Sequence, residues 1–268
     1  MQPKGSPAAF FALVFALSIP FWLLGAATRI SLLPGLPVAA LAVACPALAA
    51  LILTFRSAGA GGARTLLARA FDHRRVGRLA WYLPLLLTAP AVYAACFAVM
   101  RMSGVAVPAP RFELLPILFL WGFFFVGAIG EELGWSGYAV EPLQARWGPL
   151  RASLILGAVW ATWHLIALIQ AHRPLAWIAW WTLGTVAARV VMVWLFNRTG
   201  HSVFGQILFH TASNVSWQLF PVQGSWFDPR IYGPMMVLLA LVSVWAGPLR
   251  PPSPRSPRGA GLRPGCGR

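Results

Sequence analysis

Three short segments of this sequence hold residue types able to move protons and stabilise developing charge. The first is Glu131-Glu132, two of only six acidic residues in the chain, placed inside an apolar run. Glycines 127, 130, 134 and 137 recur at intervals of three, four and three around them, a stripe along one helix face that lets a neighbouring helix approach closely. Glu131 borders this stripe. Glu132 lies about 100° further round, nearly opposite the glycines and one turn from Ser136. The second segment is Trp160-Ala-Thr-Trp163-His164, in which the Trp160 indole can pack on the His164 imidazole one turn away. The third is His210-Thr-Ala-Ser-Asn214, with Gln206 one turn earlier on the same face. A carboxylate, two imidazoles and an amide are the parts of a general acid–base site with an oxyanion donor set. Each segment also has a plainer reading. The glutamates are then hydrated at a helix end, His164 is a satisfied core residue, and the His210–Asn214 row only bonds helix to helix.

What must position these residues is a membrane bundle. Hydrophobic residues make up 59% of the 268 positions and charged residues 10%, with mean hydropathy +0.70. Soluble domains carry about 25% charged residues, and a water-soluble fold of this size has no room to hide so much apolar surface. The net charge of +15 comes from arginines between apolar runs and in the C-terminal tail, where they meet anionic lipid, so nucleic-acid binding is not expected. Cys45, Cys96 and Cys266 are far apart, without metal-ligand spacing, and imply no disulfide framework.

A bilayer core about 30 Å thick requires roughly 20 apolar residues per helix. Runs of that order lie near 8–27, 32–54, 79–100, 113–135, 152–170, 174–196, 203–220 and 231–247. They predict an all-α polytopic membrane protein with about eight transmembrane helices. The run at 203–220 is the weakest, because His210, Ser213, Asn214 and Gln218 interrupt it. The first run is read as a retained helix, since no small-x-small cleavage site follows it. With the N-terminus cytoplasmic, 15 basic residues fall on one side and five on the other, which predicts an N-in, C-in chain. The expected organisation is helices one to three over 1–112, a polar core over 113–220, a last helix at 221–247, and a disordered basic tail over 248–268. The Arg-rich segment 61–78 reads as an amphipathic surface helix in the cytoplasmic loop.

In this order and on separate helices, the three segments resemble the CPBP family, which includes the Rce-type CAAX prenyl proteases and the bacterial Abi-type membrane proteins. Its pattern is EExxxR, FxxxH and HxxxN, matched here by Glu131-Glu132-Leu-Gly-Trp-Ser136, Trp160-Ala-Thr-Trp-His164 and His210-Thr-Ala-Ser-Asn214 over about 115–216. The resemblance implies an intramembrane endopeptidase with a conical intramembrane cavity. Its substrate would be a hydrophobic or lipid-anchored peptide, reached from membrane lipid. By motif position Glu131 would be the general base, His164 its partner, and His210 with Asn214 the oxyanion donors, with Glu132 completing the set. No cofactor is required by this scheme. Some members are labelled metalloproteases, but zinc ligation by two histidines and a glutamate would leave Asn214 without a role.

Two positions depart from the pattern. Trp160 replaces Phe, and Ser136 replaces the arginine expected to pair with Glu132. Arg189, roughly 10 Å deep in the helix at 174–196 by its distance from Phe196, is the candidate to pair with Glu132 across helices. Otherwise Arg189 reaches lipid phosphate and Glu132 is hydrated near Arg146 or Arg151. The Ser136 change keeps open a non-catalytic binding or immunity-type relative, and the polar interior keeps open a proton-relay transporter, although no inverted repeat is visible. The Arg-dominated composition suggests a bacterial cytoplasmic membrane. Substrate identity and oligomeric state are not legible in these residues.

Overall fold

The computed structural model describes residues 6–28, 30–220 and 226–247. Lys4, Arg29, Cys266 and the basic tail from 248 lie outside the described residues. Among the described residues the chain is all-α apart from one small hairpin. Its helices are α1 (Pro7–Thr28), α2 (Cys45–Ala68), α3 (Tyr82–Met102), α4 (Leu114–Gly134), α5 (Val140–Gln170), α6 (Leu175–Arg198), α7 (Val203–Leu219) and α8 (Pro229–Trp245).

Among the described residues, five helical stretches are long and apolar enough to cross a membrane: Pro7–Thr28, Val38–Phe71, Leu79–Met102, Leu114–Gln170 and Leu175–Arg198. Pro229–Trp245 is apolar but shorter. The 57 residues of Leu114–Gln170 would measure about 85 Å as one straight helix, nearly three bilayer cores. They bend instead: a π-helical turn at Trp135–Ala139 follows α4, and α5 breaks at Gly148, whose φ of 73° no helix accommodates.

One apolar run behaves differently from its hydropathy. The stretch expected to start a helix near 32 forms an antiparallel pair, β1 (Ser31–Leu33) with β2 (Leu36–Pro37). A 3-10 segment, Val38–Ala44, then leads into α2. The cause is local: Pro34 and Gly35 (φ 76°) make a tight turn, and Pro37 has no N–H for a helix. The expected surface helix at 61–78 is the end of α2 beyond a break at Gly59, followed by 3-10 turns at Arg69–Phe71 and His73–Val76. Its apolar residues divide, with Leu66 and Ala70 buried and Leu67 and Phe71 exposed.

Two devices fix α4 and α7 where the polar residues sit. The glycine stripe is a backbone seam. A Cβ on Gly130 would lie 2.5 Å from the Val43 carbonyl oxygen, and one on Gly134 2.5 Å from the Pro46 oxygen, so only glycine permits this approach of α4 to the start of α2. Gly127 meets nothing within 4 Å, because it faces a cavity. At the other end Asp72 caps α7, accepting from Ser202 Oγ (2.8 Å), Phe204 N (3.0 Å) and Val203 N (3.3 Å), where anions favour a helix N-terminus. Arg69 donates to the Gly137 (2.8 Å) and His201 (2.9 Å) carbonyls, tying the π-turn to the start of α7. Cys45 and Cys96 are free and buried, as core fillers.

The seam predicts a contrast. Gly134→Ala must push two backbones apart, at a cost of about 1–3 kcal/mol for overpacking. Its melting temperature in detergent should fall by several degrees, while that of Gly127→Ala should match the parent.

Candidate active site

A cavity of about 540 Å³ opens between α4, α5, α6, α7 and the 3-10 segment before α2. Its walls are mainly aromatic and aliphatic, and Glu131, His164, His210 and Asn214 line it together. Four of the five residues singled out from the sequence therefore meet at one surface, contributed by three helices. The fifth, Glu132, does not reach the cavity. It is 0% exposed and stands behind His210.

Glu132 is held by four donors. Arg189 Nη1 donates to Oε2 at 3.0 Å and Nη2 to Oε1 at 3.2 Å, a two-pronged guanidinium–carboxylate contact. His210 Nδ1 lies 2.9 Å from Oε1, and the Ser136 hydroxyl donates to Oε2. The cross-helix pair expected from the missing motif arginine is therefore present, fully buried on both sides. Hydration of the two glutamates at a helix end does not describe this structure, since Glu131 is 3% exposed and Glu132 0%. Arg146 and Arg151 are exposed and make no contact with either glutamate among the described residues.

Glu131 has a different partner. Trp160 Nε1 donates to its Oε2 at 2.7 Å, leaving Oε1 toward His210 Nε2, 3.9 Å away. This bond is absent from the sequence reading, which used Trp160 only as a packing aromatic. The signal was the residue itself, for an indole carries a donor that the family's phenylalanine lacks. The same ring packs edge-on to His164 and His210, with centroids 5.2 Å and 5.4 Å away. The Arg189 guanidinium lies 4.1 Å from its centroid, within cation–π range. One indole thus touches every charged or imidazole group of the site except Glu132.

The hydrogen bonds set the histidine tautomers. His164 Nδ1 lies 2.8 Å from the Trp160 carbonyl oxygen, which can only accept, so Nδ1 carries a hydrogen and Nε2 is the free ring nitrogen. His210 Nδ1 likewise donates to Glu132, leaving Nε2 on the Glu131 side. Trp163 and Trp181 wedge the His164 ring from two further directions, at 4.8 Å and 5.4 Å.

Gln206 does not join the row with His210 and Asn214. It is fully buried against α6, where its amide can donate to the Met192 carbonyl (2.9 Å) and accept from Phe196 N (3.2 Å). That is interhelical bonding, the plainer reading of this residue. Among the described residues no three His, Cys, Asp or Glu side chains are grouped to hold a metal ion.

Residues 113–216 match the family model of the type II CAAX prenyl endopeptidases, Rce1-like. Over 118 residues the chain is 26% identical to CAAX prenyl protease 2 of Methanococcus maripaludis, an alignment covering 41% of this chain and 42% of that relative. The chain thus matches about two fifths of the length of this curated relative. The matched segment runs from the start of α4 into α7 and contains every polar residue described around the cavity. Residues 113–216 of this integral membrane protein are thus similar to the Rce1-like CAAX prenyl endopeptidase family.

Proposed function

We propose that the chain is an intramembrane endopeptidase that hydrolyses a peptide bond of a membrane-associated or lipid-anchored substrate, using a side-chain base to activate water. The observation that carries this reading is the convergence of Glu131, His164, His210 and Asn214 on one apolar cavity. Water between Glu131 and His164 Nε2 gives its proton to Glu131 Oε1 as its oxygen attacks the carbonyl carbon. The amide of Asn214 donates to the oxyanion that forms. The proton taken by Glu131 then passes to the leaving nitrogen as the C–N bond breaks, yielding a carboxylic acid and an amine; the acid then loses its proton to solvent. His210 donates from Nε2 only when its ring carries both hydrogens, because Nδ1 is already committed to Glu132. Its positive charge is then matched by Glu131. Low-dielectric walls strengthen every one of these contacts.

Glu132 and Arg189 act through His210. They fix the ring that faces the cavity and do not touch substrate. The supporting geometry meets the objection raised by Ser136, since the guanidinium absent from position 136 arrives from α6 and Ser136 itself adds a hydrogen bond. A glutamate-based, metal-free scheme is favoured because it gives Asn214 a role as oxyanion donor, which zinc ligation would leave empty. The arginine-dominated composition supports a bacterial cytoplasmic membrane as the location.

Glu131→Gln, His164→Ala and His210→Ala should each lower turnover of a lipidated reporter peptide by about 10²–10⁴-fold, without shifting the melting temperature by more than a few degrees. Wild-type turnover by Glu131→Gln rejects the base assignment. Turnover should also survive exhaustive treatment with EDTA or phenanthroline; loss restored by zinc would place the reaction among metal-assisted hydrolyses. Arg189→Ala leaves a buried carboxylate without its counter-charge, which typically costs about 3–5 kcal/mol. It should unfold at lower temperature and lose activity, and adding Ser136→Arg to it should restore part of both. A well-folded double variant that stays inactive would count against the relocated-arginine account.

A further inference from the structure

The cavity has a closed end and an open end. Toward the starts of α5 and α7 it is sealed: Glu132, Ser136, Arg189, Phe196 and Gln206 stand there, each no more than 2% exposed. The flank is shut on the same side, where Gly134 rests on the Pro46 carbonyl. The exposed residues of the lining are Gly35, Leu41, Ala44 and Val126, and all of them lie on the other side of that contact. The cavity runs from there to a rim formed by the β1–β2 turn, the α5–α6 connection and Trp217 of α7.

These two ends lie on opposite membrane faces. α5 rises about 28 Å from Arg151 to Gln170, close to the thickness of a bilayer core. α7 rises about 21 Å from its Asp72-capped start to Trp217. The connections at the sealed end carry the six arginines between 56 and 78 with Arg146, Arg151 and Arg198, while those at the rim end carry Arg101, Arg111, Arg173 and Arg230 among the described residues. Nine arginines against four orient the sealed end to the cytoplasm, because basic loops are retained there. Resting on the endopeptidase reading for the chemistry, we propose that the site is supplied from the extracytoplasmic side, and that its substrate is an exported peptide held in the outer leaflet by an apolar segment. The aromatic and aliphatic walls take up such a segment directly from lipid, and the attacking water enters over the rim. A peptide arriving from the cytoplasm would instead have to part the sealed layer, where Arg189, His210 and Ser136 are all bonded to Glu132. The Arg69 bonds to the Gly137 and His201 carbonyls close the same end further out.

The first test reads sidedness alone and needs no hydrolysis. The full-length chain with Cys266→Ser keeps Cys45 and Cys96, both buried and out of reach of a charged maleimide. Single cysteines are then added at the rim, Leu32→Cys or His172→Cys, and at the sealed end, Arg74→Cys or Arg151→Cys. In intact bacterial spheroplasts the membrane-impermeant maleimide should label the rim variants, and should label the other two only after permeabilisation. The reverse pattern, labelling of both sets in intact spheroplasts, or no rim labelling at either position before permeabilisation, overturns the proposal. The second test supplies substrate. An acylated fluorogenic peptide with a charged head, confined to the outer leaflet, should be cleaved by intact spheroplasts carrying the wild type and not by those carrying Glu131→Gln. Coupling a bulky maleimide to Leu32→Cys should remove most of that turnover, and coupling it to Arg74→Cys in permeabilised spheroplasts should leave turnover unchanged. Cleavage that appears only after permeabilisation overturns the proposal. Absence of cleavage under both conditions would reject the endopeptidase reading and leave the labelling result standing.

Discussion

A carboxylate with no exposed surface inside an apolar bundle must be neutralised by groups that cannot move away, and Glu132 imposes that condition on this fold. Desolvating a charge costs several kcal/mol even after relaxation, and the compensation comes from three helical segments. Arg189 reaches in from α6, His210 from α7 and Ser136 from the π-turn after α4. Such a pair contributes little net stability relative to an apolar core, yet breaking it is expensive. Its value lies in register: the three elements must adopt one relative height for all four hydrogen bonds to form.

The division between the two adjacent glutamates follows from that arrangement. Glu132 is fully engaged and serves as a fixed negative charge behind the cavity. Glu131, one residue earlier and turned by about 100°, has one oxygen bonded to Trp160 and the other facing the cavity. His210 stands between them, with one ring nitrogen on each. The site is therefore a chain of contacts running from Arg189 through Glu132 and His210 to Glu131, with the Trp160 ring as its common wall. Buried polar chains of this kind hold their geometry only when every member is satisfied.

Much of this was legible in the sequence, for stated reasons. Hydropathy located the helices because the bilayer sets their length, and it failed at 31–37, where Pro34, Gly35 and Pro37 overrode an apolar run. Helical periodicity separated the faces of Glu131 and Glu132 correctly. The depth of Arg189 and the cost of an unpaired charge there led to Glu132, a contact between residues 57 apart in sequence. Periodicity could not show the Trp160 bond to Glu131, because one turn of α5 says nothing of what faces it on α4. Nor could it show Gln206 turning to the α6 backbone, since a shared helix face in α7 spans more than one neighbour.

The α2–α4 seam has a mechanical consequence. Where Gly130 and Gly134 meet the Val43 and Pro46 carbonyls, no side chain lies between the two main chains. Contacts made through long side chains can rearrange among rotamers when lipids around a bundle fluctuate in thickness or lateral pressure. A main chain resting on a main chain has no rotamers to exchange. The backbone that carries Glu131 is therefore seated on the stiffest kind of contact a helical bundle offers, and bilayer deformation should be taken up elsewhere, in the kinked segments at Gly59 and Gly148.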